Sequence, residues 1–77
     1  MNDTNKALTA HQRRILMMRV AGQTSDEVGD RLGIAGSTVR NTLTIIYRKI
    51  GVRGITGATL WAVRKGLVDV EVGNGDQ

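Results

Sequence analysis

Residues 33–51, GIAGSTVRNTLTIIYRKIG, decide the fold that this chain can adopt. At about 100° per residue, a helix over residues 36–50 brings four apolar side chains into one narrow stripe. They are Val39, Leu43, Ile46 and Ile50. A second stripe of the same helix is polar and holds Ser37, Arg40, Asn41, Thr44 and Arg48. One side therefore suits a protein core, and the other suits a surface that exchanges hydrogen bonds with a partner.

The basic residues of the chain are concentrated around this helix. Residues 31–68 hold seven of the 11 lysines and arginines and none of the seven acidic residues, within a chain of net charge +4. A field of one sign favours a polyanion, either a nucleic acid or an anionic membrane surface. The membrane is disfavoured because the basic residues do not share one face with a row of large apolar ones. The remaining alternative is a solvated basic surface without a partner.

Length and composition describe one small domain. The 77 residues include no cysteine, which removes disulfides, thiolate zinc sites and cysteine nucleophiles. No apolar run approaches the roughly 18 residues of a membrane span. The first ten residues, MNDTNKALTA, lack the apolar core of a signal peptide. We therefore expect a soluble, cytoplasmic protein.

Two capping boxes predict the helices that precede the central one. TAHQ begins at Thr9 and TSDE begins at Thr24, and each places a hydroxyl three residues before a side-chain acceptor. The first helix should run to Gly22, and the second, SDEVGDRL, should end at Gly33. Their core candidates are Ile15, Leu16, Met17, Met18, Val28, Leu32 and, just after the second helix, Ile34.

Gly29 is unusual inside the second helix, where it costs about 1 kcal/mol relative to alanine. It is either a tolerated defect or a point where another helix approaches closely. We favour a close approach, because only Gly33, Ile34 and Ala35 separate the second helix from the third. So short a turn predicts a helix-turn-helix corner.

A fourth helix, GATLWAVRKG, is predicted after the glycine-containing connector, with Thr56 as its N-cap. Trp61 is its largest core candidate, together with Ala58 and Ala62. A different side of the helix presents Thr59, Leu60 and Val63. This side predicts either a partner helix or a helix that is only partly buried. We expect residues 1–7 to be a mobile arm, residues 8–68 the folded domain, and residues 69–77 an acidic, disordered tail.

Over residues 8–68 the chain resembles the LuxR/GerE type of helix-turn-helix domain. The motif GIxxSTVRxxLxxIxRKIGV, which begins at Gly33, is the specific part of this resemblance. It implies an all-α domain of four helices, comprising a supporting pair, a recognition helix and a last helix often used for dimerisation. The chain departs from the family pattern at Gln12, Ala35, Thr42, Ile45 and Gly57. Ala35 stands where a serine or threonine usually caps the recognition helix.

The resemblance assigns Arg40, Asn41 and Thr44 to the major groove of DNA. Their chemistry agrees, since arginine pairs with guanine, asparagine pairs with adenine, and the threonine methyl group contacts thymine. The expected phosphate contacts, which position the helix without reading sequence, are Thr24, Ser37, Thr38, Arg48, Lys49 and Arg53. The expected dimer interface is Thr59, Leu60 and Val63.

The favoured function is a small transcriptional regulator that binds double-stranded DNA as a homodimer on an inverted repeat. The alternative is an interaction protein that binds RNA polymerase or heterodimerises with a larger regulator through the fourth helix. Sigma-factor region 4 has a similar fold and is the nearest source of confusion. An enzyme is not supported, because the chain has one histidine, no phosphate-binding glycine loop and no metal-ligand spacing. We accordingly expect no cofactor, metal or small-molecule ligand.

Overall fold

The structure, a computed structural model, describes residues 8–68 of the chain. Within that range the secondary structure consists of four helices, α1 (Ala10–Val20), α2 (Ser25–Leu32), α3 (Gly36–Ile50) and α4 (Ile55–Arg64), without a β-strand. The all-α prediction is confirmed, and α3 has the predicted bounds. The predictions of a mobile arm over 1–7 and a disordered tail over 69–77 lie outside the described residues. None of the described helices is long and apolar enough to cross a membrane.

Both predicted capping boxes are present. At the start of α1 the Thr9 Oγ1 accepts a hydrogen bond from the Gln12 amide at 3.0 Å, and Gln12 Oε1 accepts from the Thr9 amide at 3.1 Å. Thr24 and Glu27 make the same pair of bonds at the start of α2, at 3.1 and 2.8 Å. These bonds satisfy backbone N–H groups that a helix start would otherwise leave without partners, so they fix where α1 and α2 begin.

One apolar core joins all four helices. Its buried members are Leu8, Ile15, Leu16, Val28, Val39, Leu43, Ile46, Ala58, Trp61 and Ala62. The predicted core residues of α3 are confirmed, although Ile50 is only half-buried. Leu8, at the start of the domain, is also buried and was not among the predicted core residues. Because α3 packs against α1, α2 and α4, its apolar stripe is held from several sides while the rest of its surface stays in solvent.

The corner between α2 and α3 depends on Gly29. A Cβ atom at this position would lie 2.5 Å from the carbonyl oxygen of Ile34 and 3.2 Å from the backbone nitrogen of Gly36. The Ile34 amide also donates a 2.9 Å hydrogen bond to the Gly29 carbonyl. The predicted close approach is therefore confirmed, and it sets how tightly the turn folds back on α2.

The predicted N-cap of α4 is wrong. Gly54, not Thr56, occupies that position, and Ile55 is the first helical residue. The backbone is extended at Gly54 (φ −174°, ψ −163°), and its carbonyl accepts from the Ala58 amide at 2.9 Å. The N-cap therefore lies two residues earlier than predicted, and the Thr56 side chain is exposed within the first turn of the helix.

Candidate nucleic-acid interface

The polar stripe of α3 is exposed along its whole length. Its members are Ser37, Arg40, Asn41, Thr44 and Arg48, and each is exposed to solvent. The opposite stripe contains Val39 and Ile46, whose side chains are fully buried. One face therefore anchors α3 in the core, and the other is a continuous surface exposed to solvent.

The start of α3 differs from the starts of α1 and α2. Ala35 has the extended N-cap backbone (φ −68°, ψ 147°), but no side chain caps the helix. Ser37 does not replace the missing cap, although it lies in the first turn. Helix N-termini carry a partial positive charge from their unsatisfied N–H groups, so this end of α3 favours nearby negative charge.

Arg40 lies near the middle of the exposed stripe and reaches across to α2. Its Nη1 atom donates to Oδ1 of Asp26 at 3.4 Å, in an ion pair whose side chains are 60% and 80% exposed. Asp26 lies in the first turn of α2, and this contact was not predicted from the sequence. No local signal encodes it, because the two residues meet only after the corner has formed.

Thr44 and Asn41 continue the stripe. The Thr44 hydroxyl donates a 3.1 Å hydrogen bond to the Arg40 carbonyl, one turn earlier in the same helix. Because the hydroxyl hydrogen is donated to the backbone, the methyl group is the part of Thr44 suited to a thymine contact. Asn41 is exposed beside them, so its amide is accessible to a base edge.

A shallow groove joins the end of α3 to the connector that follows it. The groove has a volume of about 250 Å³ and is lined by Thr44, Tyr47, Arg48, Val52 and Arg53. It brings Arg53, which lies beyond the helix, next to Arg48. Both residues are exposed, as phosphate contacts require.

Tyr47 forms part of this groove and was not predicted as a site residue. Partial burial raises the pKa of its phenol, and the nearby Arg19 opposes that rise. The hydroxyl is therefore protonated at neutral pH and can donate a hydrogen bond. The position of Tyr47 between the apolar and polar stripes of α3 is the signal that could have identified it.

Two of the predicted phosphate contacts lie on a flank of α3. Thr38 and Lys49 are 11 residues apart, which places them on the same side of the helix, and both are exposed. Lys49 Nζ donates to Gln12 Oε1 at 3.0 Å, across the interface with α1. The structure therefore does not bring these residues together with the stripe that contains Arg40 and Arg48.

Thr24 lies at the start of α2, and its polar groups form the capping box. Its amide donates to Glu27 Oε1, and its Oγ1 accepts from the Glu27 amide. Accepting that bond leaves the hydroxyl hydrogen available as a donor. A phosphate contact by Thr24 would therefore use the hydroxyl and not the backbone.

The residues predicted for dimerisation lie on the side of α4 away from the core. Leu60 is 55% exposed, and Thr59 and Val63 are half-buried. The Thr59 hydroxyl donates to the Ile55 carbonyl at 2.8 Å, so its polar group is already bonded within the helix. What remains is a small, largely apolar surface on α4.

A supporting helix, a short turn and an exposed basic-polar helix define a helix-turn-helix DNA-binding domain. The chain belongs to the bacterial regulatory proteins of the luxR family, whose GerE domain matches residues 6–62. It is 40% identical over 55 residues to YhjB of Escherichia coli (strain K12), which is named as an HTH-type transcriptional regulator. That match covers 71% of this chain and 28% of YhjB.

A second relative has nearly the same extent as this chain. The spore germination protein GerE of Bacillus subtilis (strain 168) is 30% identical over 63 residues, which are 82% of this chain and 85% of that protein. No solved structure matches the chain significantly. The family and the fold together assign this chain to DNA-binding transcription regulation.

Proposed function

We propose that this chain binds a specific double-stranded DNA sequence with α3 in the major groove. The observation that carries the proposal is the uninterrupted exposed stripe of α3, whose opposite face is fixed in the core. Arg40, Asn41 and Thr44 read base edges on this stripe. Ser37 and Arg48 on the stripe, together with Thr24, Thr38, Lys49 and Arg53 around it, contact phosphates.

Binding occurs as a homodimer through α4. The exposure of Leu60 supports an apolar contact there, because a large aliphatic side chain gains free energy when it leaves water. Two-fold symmetry would set the two recognition helices about one turn of DNA apart, so the target is an inverted repeat with half-site centres about 10 base pairs apart. Such a regulator would associate with the nucleoid.

The same surface supports one alternative. A second protein, either RNA polymerase or a larger regulator, would also cover Leu60 and the half-buried Val63. In that case the Leu60 surface would bind the partner protein, and selective recognition of bases would contribute little to the function. Loss of base selectivity with retained partner binding would distinguish this function from the first.

Selection from random duplexes at about 150 mM salt tests the proposal. The selected duplex is then titrated against a scrambled copy of the same composition. We expect an inverted repeat that binds at least about 10³-fold more tightly than the scramble. Weak and equal binding to both duplexes would leave only the sequence-independent electrostatic attraction and would contradict the proposal.

A further inference from the structure

Asp26 places a negative charge beside the half of α3 that enters the groove. Two observations locate its carboxylate there. It accepts from Arg40 Nη1 at 3.4 Å. It also lies so close to Gly36 that a Cβ atom at that position would overlap its Oδ1 atom. The side chain is 80% exposed, so its charge faces the same solvent that DNA would replace.

We propose that Asp26 is a specificity-determining residue, which positions Arg40 for a base and opposes binding to phosphates alone. This inference rests on the proposed function. It adds a residue of α2 to a base-reading surface whose proposed base contacts, Arg40, Asn41 and Thr44, all lie on α3.

The positioning effect follows from the geometry of the guanidinium group. Arginine carries five N–H donors in a rigid plane, and the contact with Asp26 uses Nη1. The other donors remain available for the O6 and N7 atoms of guanine. Because Asp26 restricts the Arg40 side chain before binding, less conformational entropy is lost when the base contact forms.

The opposing effect follows from charge. Binding to arbitrary DNA depends on cations that neutralise phosphates, and a carboxylate near the phosphates reduces that attraction. At the correct site the contact between Arg40 and guanine offsets the repulsion. The repulsion itself is common to all duplexes, so the difference in affinity widens only because the Arg40 contact that Asp26 positions forms at the correct site and not at an incorrect one.

The test compares Asp26→Asn with Asp30→Asn in the full chain. Asp30 is an exposed carboxylate one turn further along α2, so its change removes the same charge from the same helix. For Asp26→Asn we expect affinity for the scrambled duplex to rise about threefold or more. The salt slope, which is the slope of log affinity against log salt concentration, should be steeper by about one. Affinity for the selected site should not rise, so the specificity ratio falls. Asp30→Asn should keep the ratio of the unmodified chain.

A double-mutant cycle with Arg40→Ala separates positioning from simple charge removal. In the Arg40→Ala background, Asp26→Asn should no longer change discrimination at the base pair that Arg40 reads. Circular dichroism of each variant would establish that the helices are intact. The inference is overturned if Asp26→Asn keeps the specificity ratio, or if its effect on that base pair persists without Arg40. If the unmodified chain selects no sequence at all, the proposed function fails and this inference fails with it.

Discussion

At the scale of single residues, Asn41 and Lys49 should affect DNA binding in different ways. Asn41→Ala removes a proposed base contact, and we expect a loss of about 1–3 kcal/mol of discrimination at one base pair. Lys49→Ala removes a charge, which should weaken binding to all duplexes alike and reduce the salt slope by about one. In the free protein Lys49 donates a hydrogen bond to Gln12, so the proposed phosphate contact requires exchange of that bond.

Titration of the selected site and its single-base variants at several salt concentrations measures both quantities. The Asn41→Ala and Lys49→Ala proteins serve as controls for each other, because both positions are exposed on α3. If the two substitutions changed every duplex identically, the assignment of base and phosphate contacts would be wrong.

Tyr47 should make the stability of the fold sensitive to alkaline pH. Burial raises the pKa of its phenol above the ordinary value of 10.0, with a smaller opposing effect from Arg19. A raised folded pKa contributes stability that is fully present below pH 10 and is lost as pH rises through the folded value. The free energy of unfolding should therefore fall in that window for the unmodified chain and less steeply for Tyr47→Phe.

Urea unfolding over about pH 9 to 11 measures this difference. Tyr47 is the single tyrosine of the chain, so tyrosinate absorbance reports its ionisation without overlap from another residue of that type. Parallel pH profiles for the two proteins would contradict the prediction.

At the scale of the elements, the corner between α2 and α3 should not tolerate a side chain at Gly29. Gly29→Ala gains about 1 kcal/mol of helix propensity. It also places a methyl group 2.5 Å from the Ile34 carbonyl oxygen, a backbone atom that cannot move without opening the turn. Such overpacking costs roughly 1–3 kcal/mol, and we expect it to exceed the gain in propensity.

Denaturant unfolding of Gly29→Ala measures the net effect. Asp30→Ala is the matched control, because it alters the next residue of α2 at an exposed position and should stay within about 0.5 kcal/mol. A Gly29→Ala variant more stable than the unmodified chain would show that the turn can open at little cost.

The uncapped start of α3 offers a stabilising substitution. Ala35 has nearly the same backbone angles (φ −68°, ψ 147°) as the capping Thr9 (φ −70°, ψ 164°). Ala35→Ser supplies the missing oxygen without a change of conformation, so the free energy of unfolding should rise by about 1 kcal/mol.

Gly54→Ser provides the comparison for this prediction. Gly54 is also an extended N-cap without a side-chain bond. Replacing glycine with serine at an N-cap gains only a few tenths of a kcal/mol, roughly. Urea unfolding of both variants should therefore rank Ala35→Ser above Gly54→Ser, and the reverse order would show that the start of α3 is capped by other means.

The elements could be predicted wherever their signals are local. The capping boxes at Thr9 and Thr24 and the bounds of α3 follow from residues three or four positions apart, and all of them are confirmed. The cap of α4 could not be predicted, because Thr56 and Gly54 are both plausible until the path of the connector is known. The path depends on how α4 packs against α1 and α3, which a local pattern does not contain.

In the candidate site, too, local features could be predicted and contacts between helices could not. Helical periodicity was sufficient to predict an exposed stripe with Arg40 and Arg48 on it. Contacts between helices were missed, among them the pairing of Arg40 with Asp26. The relative placement of two helices depends on the whole core, so the partner of a surface arginine cannot be derived from the spacing around it.

At the scale of the whole molecule, α4 should control the oligomeric state. Leu60→Lys places a charge in the proposed interface, and two like charges would then face each other across the two-fold axis. We expect this variant to be monomeric under conditions where the unmodified chain is dimeric, as measured by sedimentation equilibrium.

Ile45→Lys is the control for this experiment. Ile45 is 46% exposed, similar to Leu60, but it lies on α3. Its substitution should leave the dimer intact. A Leu60→Lys variant that dimerises like the unmodified chain would show that the dimer interface does not lie on this side of α4.

The tight corner at Gly29 also has a consequence for the time course of folding. The elements α2 and α3 are neighbours along the chain and pack together through a turn of three residues, 33–35, so their contacts can form early. Packing of α4 on α1 must instead wait until a long loop has closed. Helical domains dominated by local contacts fold in microseconds to milliseconds. We therefore expect the corner of the proposed DNA-binding surface to be assembled in the folding transition state, before the proposed dimer surface of α4 is complete.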